Sequence, residues 1–289
     1  MEGDAYMLSK ELFQRLDNDF ILPQCSDNWS DINFNSCYTT SYKTSYMGLV
    51  LDNNEKTKNV FTAVFASPTV FEELSKRRIE DAVLFTHHPM AWDITKDSIF
   101  EEISEENLQF LKEHRISLYN LHTPLDRVSD YSTSVNLARA FDGNILDAFF
   151  DYHGCKIAVI AQVPYKLLSN LETRFNEAIG HESKLYRYGS DLIDNALVAF
   201  CAGGGNEPVV HDILSERGIN TLVTGITTFG QGYAPQEIAH EKAKKHKINI
   251  LGGTHYSTEK FACIKMIEYF NRLGLPCEFI NDVPCLADM

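Results

Sequence analysis

Positive charge is in short supply: 26 Lys and Arg stand against 40 Asp and Glu in 289 residues, a formal net charge of -14. Such a surface repels a phosphate backbone and argues against nucleic acid as a partner. A small anion is still admissible where a bound cation inverts the field inside a cleft. No apolar run approaches the ~20 residues of a membrane span, and the opening MEGDAYMLSK has neither a basic segment nor an apolar one of the secretory kind. The expectation is a cytoplasmic protein without membrane association. The seven cysteines form no Cys-x-x-Cys pair and their number is odd, so neither a disulfide framework nor a thiolate zinc site is expected. Cys155, Cys201 and Cys263 lie in apolar stretches and read as buried, inert thiols.

The remaining composition, 44% hydrophobic and 23% charged, is that of an ordinary folded chain, long enough for one large domain or two lobes. Residues 5 to 20 place Leu8, Leu12, Phe13, Leu16 and Phe20 at helical spacing. Residues 25 to 45 turn polar and Tyr-rich, which predicts a long loop or irregular hairpin. Short apolar runs at 46–51, 60–66, 82–86, 116–121, 156–163, 196–202, 221–225 and 248–252 predict strands. They alternate with helical patterns at 69–78, 98–114, 131–141, 165–179, 207–217, 236–246 and 258–273. Gly180, Gly218 and Gly274 follow three of these where left-handed caps are expected. The alternation predicts an α/β fold with mixed sheets. Two lobes, 1–150 and 151–289, would divide in the aromatic, turn-like stretch Asp147 to Gly154.

Chemistry concentrates at three strand ends. AVLFT runs into His87-His88-Pro89, ISLYNL into His122-Thr123-Pro124-Leu125-Asp126, and INILGG into His255-Tyr256-Ser257-Thr258-Glu259. Ligands of open α/β sheets collect at the carboxyl ends of strands. Four imidazoles and two carboxylates give two divalent ions about three protein ligands each, with Glu259 or Asp126 as a bridge. Pro89 and Pro124 stop the strands and hold the histidines in turns. Ser257 or Thr258 would cap the last helix, putting Glu259 in its first turn near His255. Taken singly, a His-His pair is more often a surface feature, Glu259 a helix-dipole partner and Asp126 a turn cap. Convergence at three strand ends makes the metal reading the better one. The remaining histidines have ordinary helix-end or solvent contexts.

At these residues the chain resembles the NGG-one-interacting-factor-three family, also called GTP cyclohydrolase I type 2-like dinuclear metal proteins. THHP at 86–89, NLHTPLD at 120–126 and GGTHYSTE at 252–259 carry the resemblance. Asp27-Asn28, MGLVLD at 47–52, AGGG at 202–205 and VTG at 223–225 add weaker matches. The resemblance implies two similar α/β lobes, a dinuclear metal cleft between them, the six ligands already named, and a homo-oligomer, commonly a hexamer. The chain departs from the family at Thr224-Gly225-Ile226-Thr227-Thr228-Phe229, where relatives often carry an acidic residue and then a histidine. Catalysis here would then need another general acid or base.

The expected function is therefore a metal-dependent hydrolase acting through a metal-activated water on a small nucleotide or phosphoester, with GTP the first substrate to try. His87 or His122 would carry the proton. Zinc, manganese, iron, cobalt and nickel all suit the ligands. The alternative is a non-enzymatic metal-binding, metal-delivery or regulatory oligomer. The glycines at 203–205 read as a tight turn rather than an anion cradle, since the Walker lysine is absent and Glu207 opposes phosphate.

Overall fold

The computed structural model describes residues 6–30, 32, 34–229 and 236–289. Residue 5 of the expected opening helix and residues 31 and 33 of the expected front loop lie outside them. Two mixed sheets organise the chain, as the alternation of patterns predicts. The first has the order Cys277–Phe279, Asn59–Phe65, Ala82–His88, Ile116–Asn120, Gly48–Leu51. Its first four strands are parallel, and Gly48–Leu51 closes the edge antiparallel. Every residue of Ala82–His88 is buried, which is why this central strand reads as an unbroken apolar run and not as an alternation.

The second sheet has the order Lys184–Tyr186, Asn249–Gly252, Thr221–Thr224, Leu197–Cys201, Cys155–Gln162, Asn144–Tyr152. Three of these strands, Asn249–Gly252, Thr221–Thr224 and Leu197–Cys201, are mutually parallel. Residues 147–152 of the stretch Asp147 to Gly154, expected at a lobe boundary, belong to the edge strand Asn144–Tyr152, and position 150/151 lies inside it. It pairs with Cys155–Gln162 through a turn in which His153 and Gly154 have φ of 46° and 83°. The chain also returns at its end to the first sheet through Cys277–Phe279, where Cys277 pairs with Val60. A pairing between such distant segments is one that local patterns do not reveal.

Three local expectations change. Thr40–Ser45, inside the stretch expected as loop or irregular hairpin, forms a short helix whose cap Thr39 accepts the Tyr42 amide. The helix expected over 98–114 spans only Glu105–Glu113, because the Ser104 side chain caps it by accepting the Asn107 amide. Phe100–Glu101 pairs instead with Ala91–Trp92. The last helix starts earlier than expected, at His255. Thr254 accepts the Ser257 amide while Ser257 Oγ accepts the Thr254 amide, a reciprocal cap that neither Ser257 nor Thr258 alone provides. The left-handed glycines after helical segments stand as expected, with φ of 85° at Gly180, 66° at Gly218 and 79° at Gly274.

The cysteine expectation needs correction. Cys25 and Cys155 form a disulfide with Cα atoms 5.8 Å apart, so Cys155 is not a free thiol. The pairing joins the front loop to the start of a second-sheet strand across 130 residues, and sequence spacing gives no hint of it. Cys201 and Cys263 are buried free thiols, as expected. No helix among the described residues is long and apolar enough to cross a membrane.

Helix His255–Arg272 brings the two sheets into register with one another. It begins just after the second sheet's strand Asn249–Gly252, and its Ala262, Cys263, Met266 and Phe270 join Val60, Val64 and Phe85 of the first sheet in one apolar cluster. Thr62 Oγ1 donates to the Cys263 carbonyl at 2.9 Å and fixes the crossing point. The carboxyl ends of the parallel strands of both sheets consequently open onto the helix's first turn.

Candidate metal centre

All six side chains expected from the three strand ends arrive at that first turn. His87 and His88 are the last residues of strand Ala82–His88. His122 precedes the single turn Thr123–Asp126, and Asp126 lies one helical turn beyond it. His255 and Glu259 stand in the same i, i+4 relation on the first turns of the last helix. A histidine followed four residues later by a carboxylate on a helical turn places both side chains on one face. Three overlapping groups result: His87, His88 and His122; His88, His255 and Glu259; His87, Asp126 and Glu259. In each, one ligand atom per residue lies within 4.8 Å of the others.

Glu259 sits at the centre of the contacts. Its Oε1 is 3.2 Å from His255 Nε2 and 3.5 Å from His87 Nε2, and its Oε2 is 3.0 Å from His88 Nε2. Asp126 approaches His87 Nε2 at 3.4 Å and His122 Nε2 at 3.7 Å. Burial alone would push the Glu259 carboxyl up, but His255, His87 and His88 outweigh it and hold the group well below the carboxylate range. Burial alone also disfavours charge on His87, yet Asp126 and Glu259 raise it well above the ordinary imidazole value. His88 goes the other way: desolvation dominates, opposed by Glu259, and its basicity falls well below normal.

Outer contacts orient these side chains. His87 Nδ1 donates to the Leu121 carbonyl at 2.9 Å, which turns its Nε2 toward the carboxylates. His122 Nδ1 donates to Asp27, whose two oxygens lie 3.1 and 3.0 Å away, and the Thr123 amide donates to the same carboxylate at 3.1 Å. Burial of Asp27 raises its pKa, but His122 and the Thr123 amide outweigh that and keep it ionised. Thr133 Oγ1 donates to Asp126 at 2.7 Å. Asp288 near the chain end accepts Trp92 Nε1–H and the His255 amide, each at 2.8 Å. A carboxylate behind a ligating imidazole fixes its tautomer and raises its basicity. Asp27→Asn is accordingly expected to weaken metal affinity about 10- to 100-fold in equilibrium dialysis with the fold intact; unchanged affinity would mean Asp27 does not orient His122.

The donor set fits divalent transition ions. Among the described residues, His87 Nε2, which faces Asp126 and Glu259, is buried without a hydrogen-bond partner, a cost that proteins avoid unless another ligand completes it. Four imidazoles and two carboxylates suit zinc, manganese, iron, cobalt or nickel.

Gly203, from the run read as a tight turn, makes the close packing feasible. A Cβ there would lie 2.0 Å from Glu259 Oε1 and 3.1 Å from His255 Cδ2, and its φ is +62°. The Gly203 carbonyl accepts the Gly225 and Ile226 amides, and its own amide donates to Thr258 Oγ1 at 3.0 Å. The run is a turn pressed against the ligands, not an anion cradle.

A cavity of about 470 Å³ borders the cluster, with His88, His122, Asp126, His255 and Glu259 in its wall. His87, fully buried, is not among its lining residues. Asp288 and the cavity tryptophans were given no role from sequence, while Asp27 and Gly203 entered it only within weaker family matches, Gly203 also as part of a tight turn.

Residues 34–283 match the family model described as Duf34/NIF3 (NGG1p interacting factor 3). The chain belongs to this family. A protein of Borreliella burgdorferi named "GTP cyclohydrolase 1 type 2 homolog" is 28% identical over 229 residues, which are 77% of this chain and 82% of that protein. A protein of the same name from Archaeoglobus fulgidus is 25% identical over 238 residues, 82% of this chain and 89% of its own length. Among solved structures, "protein ybgI, unknown function" superposes with a TM-score of 0.72 at 18% identity, covering 96% of this chain and all of that one. A second, TTHA1606 from Thermus thermophilus, gives 0.67 at 21%, covering 97% of this chain and all of its own. These two structures share the fold.

Proposed function

We propose that this chain is a metal-dependent hydrolase holding two divalent ions with His87, His88, His122, Asp126, His255 and Glu259. The observation that carries the reading is the overlap of three ligand groups through shared residues, with Glu259 common to two of them. Glu259 would be shared between the two ions, since its two oxygens face different histidines. When bound, such ions lower the pKa of water and stabilise negative charge on a substrate oxygen. The protein's own groups do the remaining work. Asp27, the Leu121 carbonyl and Thr133 hold His122, His87 and Asp126 in place, and the cavity wall positions a substrate beside them. Of the two histidines expected to carry a proton, His122 borders the cavity; with its Nδ1 donating to Asp27, that task requires an Nε2 not held by a metal ion.

The adjoining cavity favours an enzyme over a metal-delivery or regulatory protein, because storage needs ligands but no substrate space. The relatives' names make GTP the first substrate to try, among small nucleotides and phosphoesters. A homo-oligomer belongs to the same reading. A hexamer would run in light scattering at six times the 32.8 kDa of one chain. The test of function is elemental analysis of protein purified without added metal, followed by product assays with nucleotides and phosphoesters. Turnover that His88→Ala reduces to background supports a hydrolase. Metal-loaded protein no faster than His88→Ala on every substrate would leave the non-enzymatic reading in its place.

A further inference from the structure

The cavity beside the cluster has an unusual lining for a site expected to take a triphosphate. Among the described residues that line it there is no lysine or arginine, and the residues outside the description, 1–5, 31, 33 and 230–235, include neither type. Two dications would bring four positive charges. Against them stand the carboxylates of Asp126 and Glu259 in the cluster, Asp27 behind His122, and Glu207 in the cavity wall. The formal charges balance, and beyond the ions themselves no cationic side chain among the described lining residues is placed to hold a phosphate tail.

What the wall offers instead is flat apolar surface. Trp29, Phe100 and Trp92 form a chain of ring contacts, with centroids 5.3 Å apart at both steps, and Phe150 and Tyr152 add a second aromatic pair. Two polar groups accompany these rings. Among the described residues the Trp29 indole N–H, buried, finds no acceptor. Glu207 is half-buried where the chain enters helix Pro208–Glu216, and no donor among the described residues pairs with its carboxylate. An ionised carboxylate only accepts hydrogen bonds, so its natural complement is an edge with two adjacent N–H groups.

We propose that this cavity takes an uncharged planar heterocycle, stacked on its aromatic wall, whose edge presents adjacent N–H donors to Glu207, and that it disfavours the triphosphate form of such a ring. The inference rests on the reading of the six-residue cluster as the functional site, and narrows its substrate from nucleotides in general to bases and nucleosides of this edge type. Glu207 is the specificity-determining residue.

The probes are guanosine, which has two adjacent N–H donors, adenosine, which does not, and GTP supplied as its magnesium complex so that it does not strip the centre. Both tryptophans of the chain, Trp29 and Trp92, line the cavity, so binding to metal-loaded protein is read from their fluorescence independently of turnover. Guanosine is expected to bind at least ~10-fold more tightly than adenosine and more tightly than GTP. Glu207→Gln, which retains the shape but replaces one acceptor with a donor, should erase the guanosine preference. GTP binding as tightly as guanosine, or a Glu207→Gln variant with an unchanged preference, overturns the inference. Absence of hydrolysis with the guanosine preference intact would sink the hydrolase reading and leave this one standing.

Discussion

Glu259→Gln is expected to weaken binding of divalent metal by ~100-fold or more, beyond the loss typical of an outer-shell change. The carboxylate touches His87, His88 and His255 and belongs to two of the three ligand groups. Replacing it removes a charge common to both proposed ions, whereas loss of His255 would touch only one group. Glutamine preserves the volume, so the helix and its apolar contacts should persist, which circular dichroism checks. The carboxyl of Glu259 is held well below its ordinary range, so acidification should release metal by protonating His87 and His122, whose imidazoles are raised by the neighbouring carboxylates, before it protonates this group. Isothermal titration with zinc or manganese reads the effect. Wild-type affinity in Glu259→Gln would remove Glu259 from the ligand set.

Gly203→Ala should be nearly as damaging although it changes no ligand. The new Cβ meets Glu259 Oε1 at 2.0 Å, and Gly203 is tied by its carbonyl to two amides and by its amide to Thr258. The backbone therefore has little freedom to retreat, and Glu259 must leave its position. We expect ~10-fold or greater loss of metal affinity, the scale seen when support for a ligand is disturbed. A control separates this from backbone strain. Gly218 also has positive φ, +66°, but an added Cβ there meets nothing within 4 Å. Gly218→Ala should therefore cost about 1–2 kcal/mol of stability and leave metal binding unchanged. Equal metal affinities for the two variants would refute the packing argument.

The candidate site was legible because each part of it was written beside its own strand end. An apolar run followed by histidine is a local signal, and three of them survive without knowledge of how the strands assemble. The i, i+4 pairs His122 with Asp126 and His255 with Glu259 are local as well, although the last helix starts earlier than expected through the Thr254–Ser257 cap. What escaped was long-range. Asp27 reaches His122 across 95 residues, Cys25 joins Cys155 across 130, and Asp288 reaches His255 across 33. Strand Asn144–Tyr152, which overlaps the stretch Asp147 to Gly154, was not read as a strand because an exposed edge strand lacks the buried alternation that marks one in sequence. Gly203 was rightly read as a turn, but its reason, the approach of Glu259, lies far downstream in the chain and is visible only after folding.

The central claim is that six side chains from three strand ends surround a pair of cations. Anomalous X-ray scattering from crystals of the protein as purified, collected across the absorption edges of the first-row metals, tests it most directly. The account predicts two peaks about 3.5 to 4 Å apart, each about 2.0 to 2.2 Å from its imidazole or carboxylate ligands, with Glu259 reaching both. A single peak, or metal bound elsewhere while His88, Asp126 and Glu259 keep only one another for company, would contradict it.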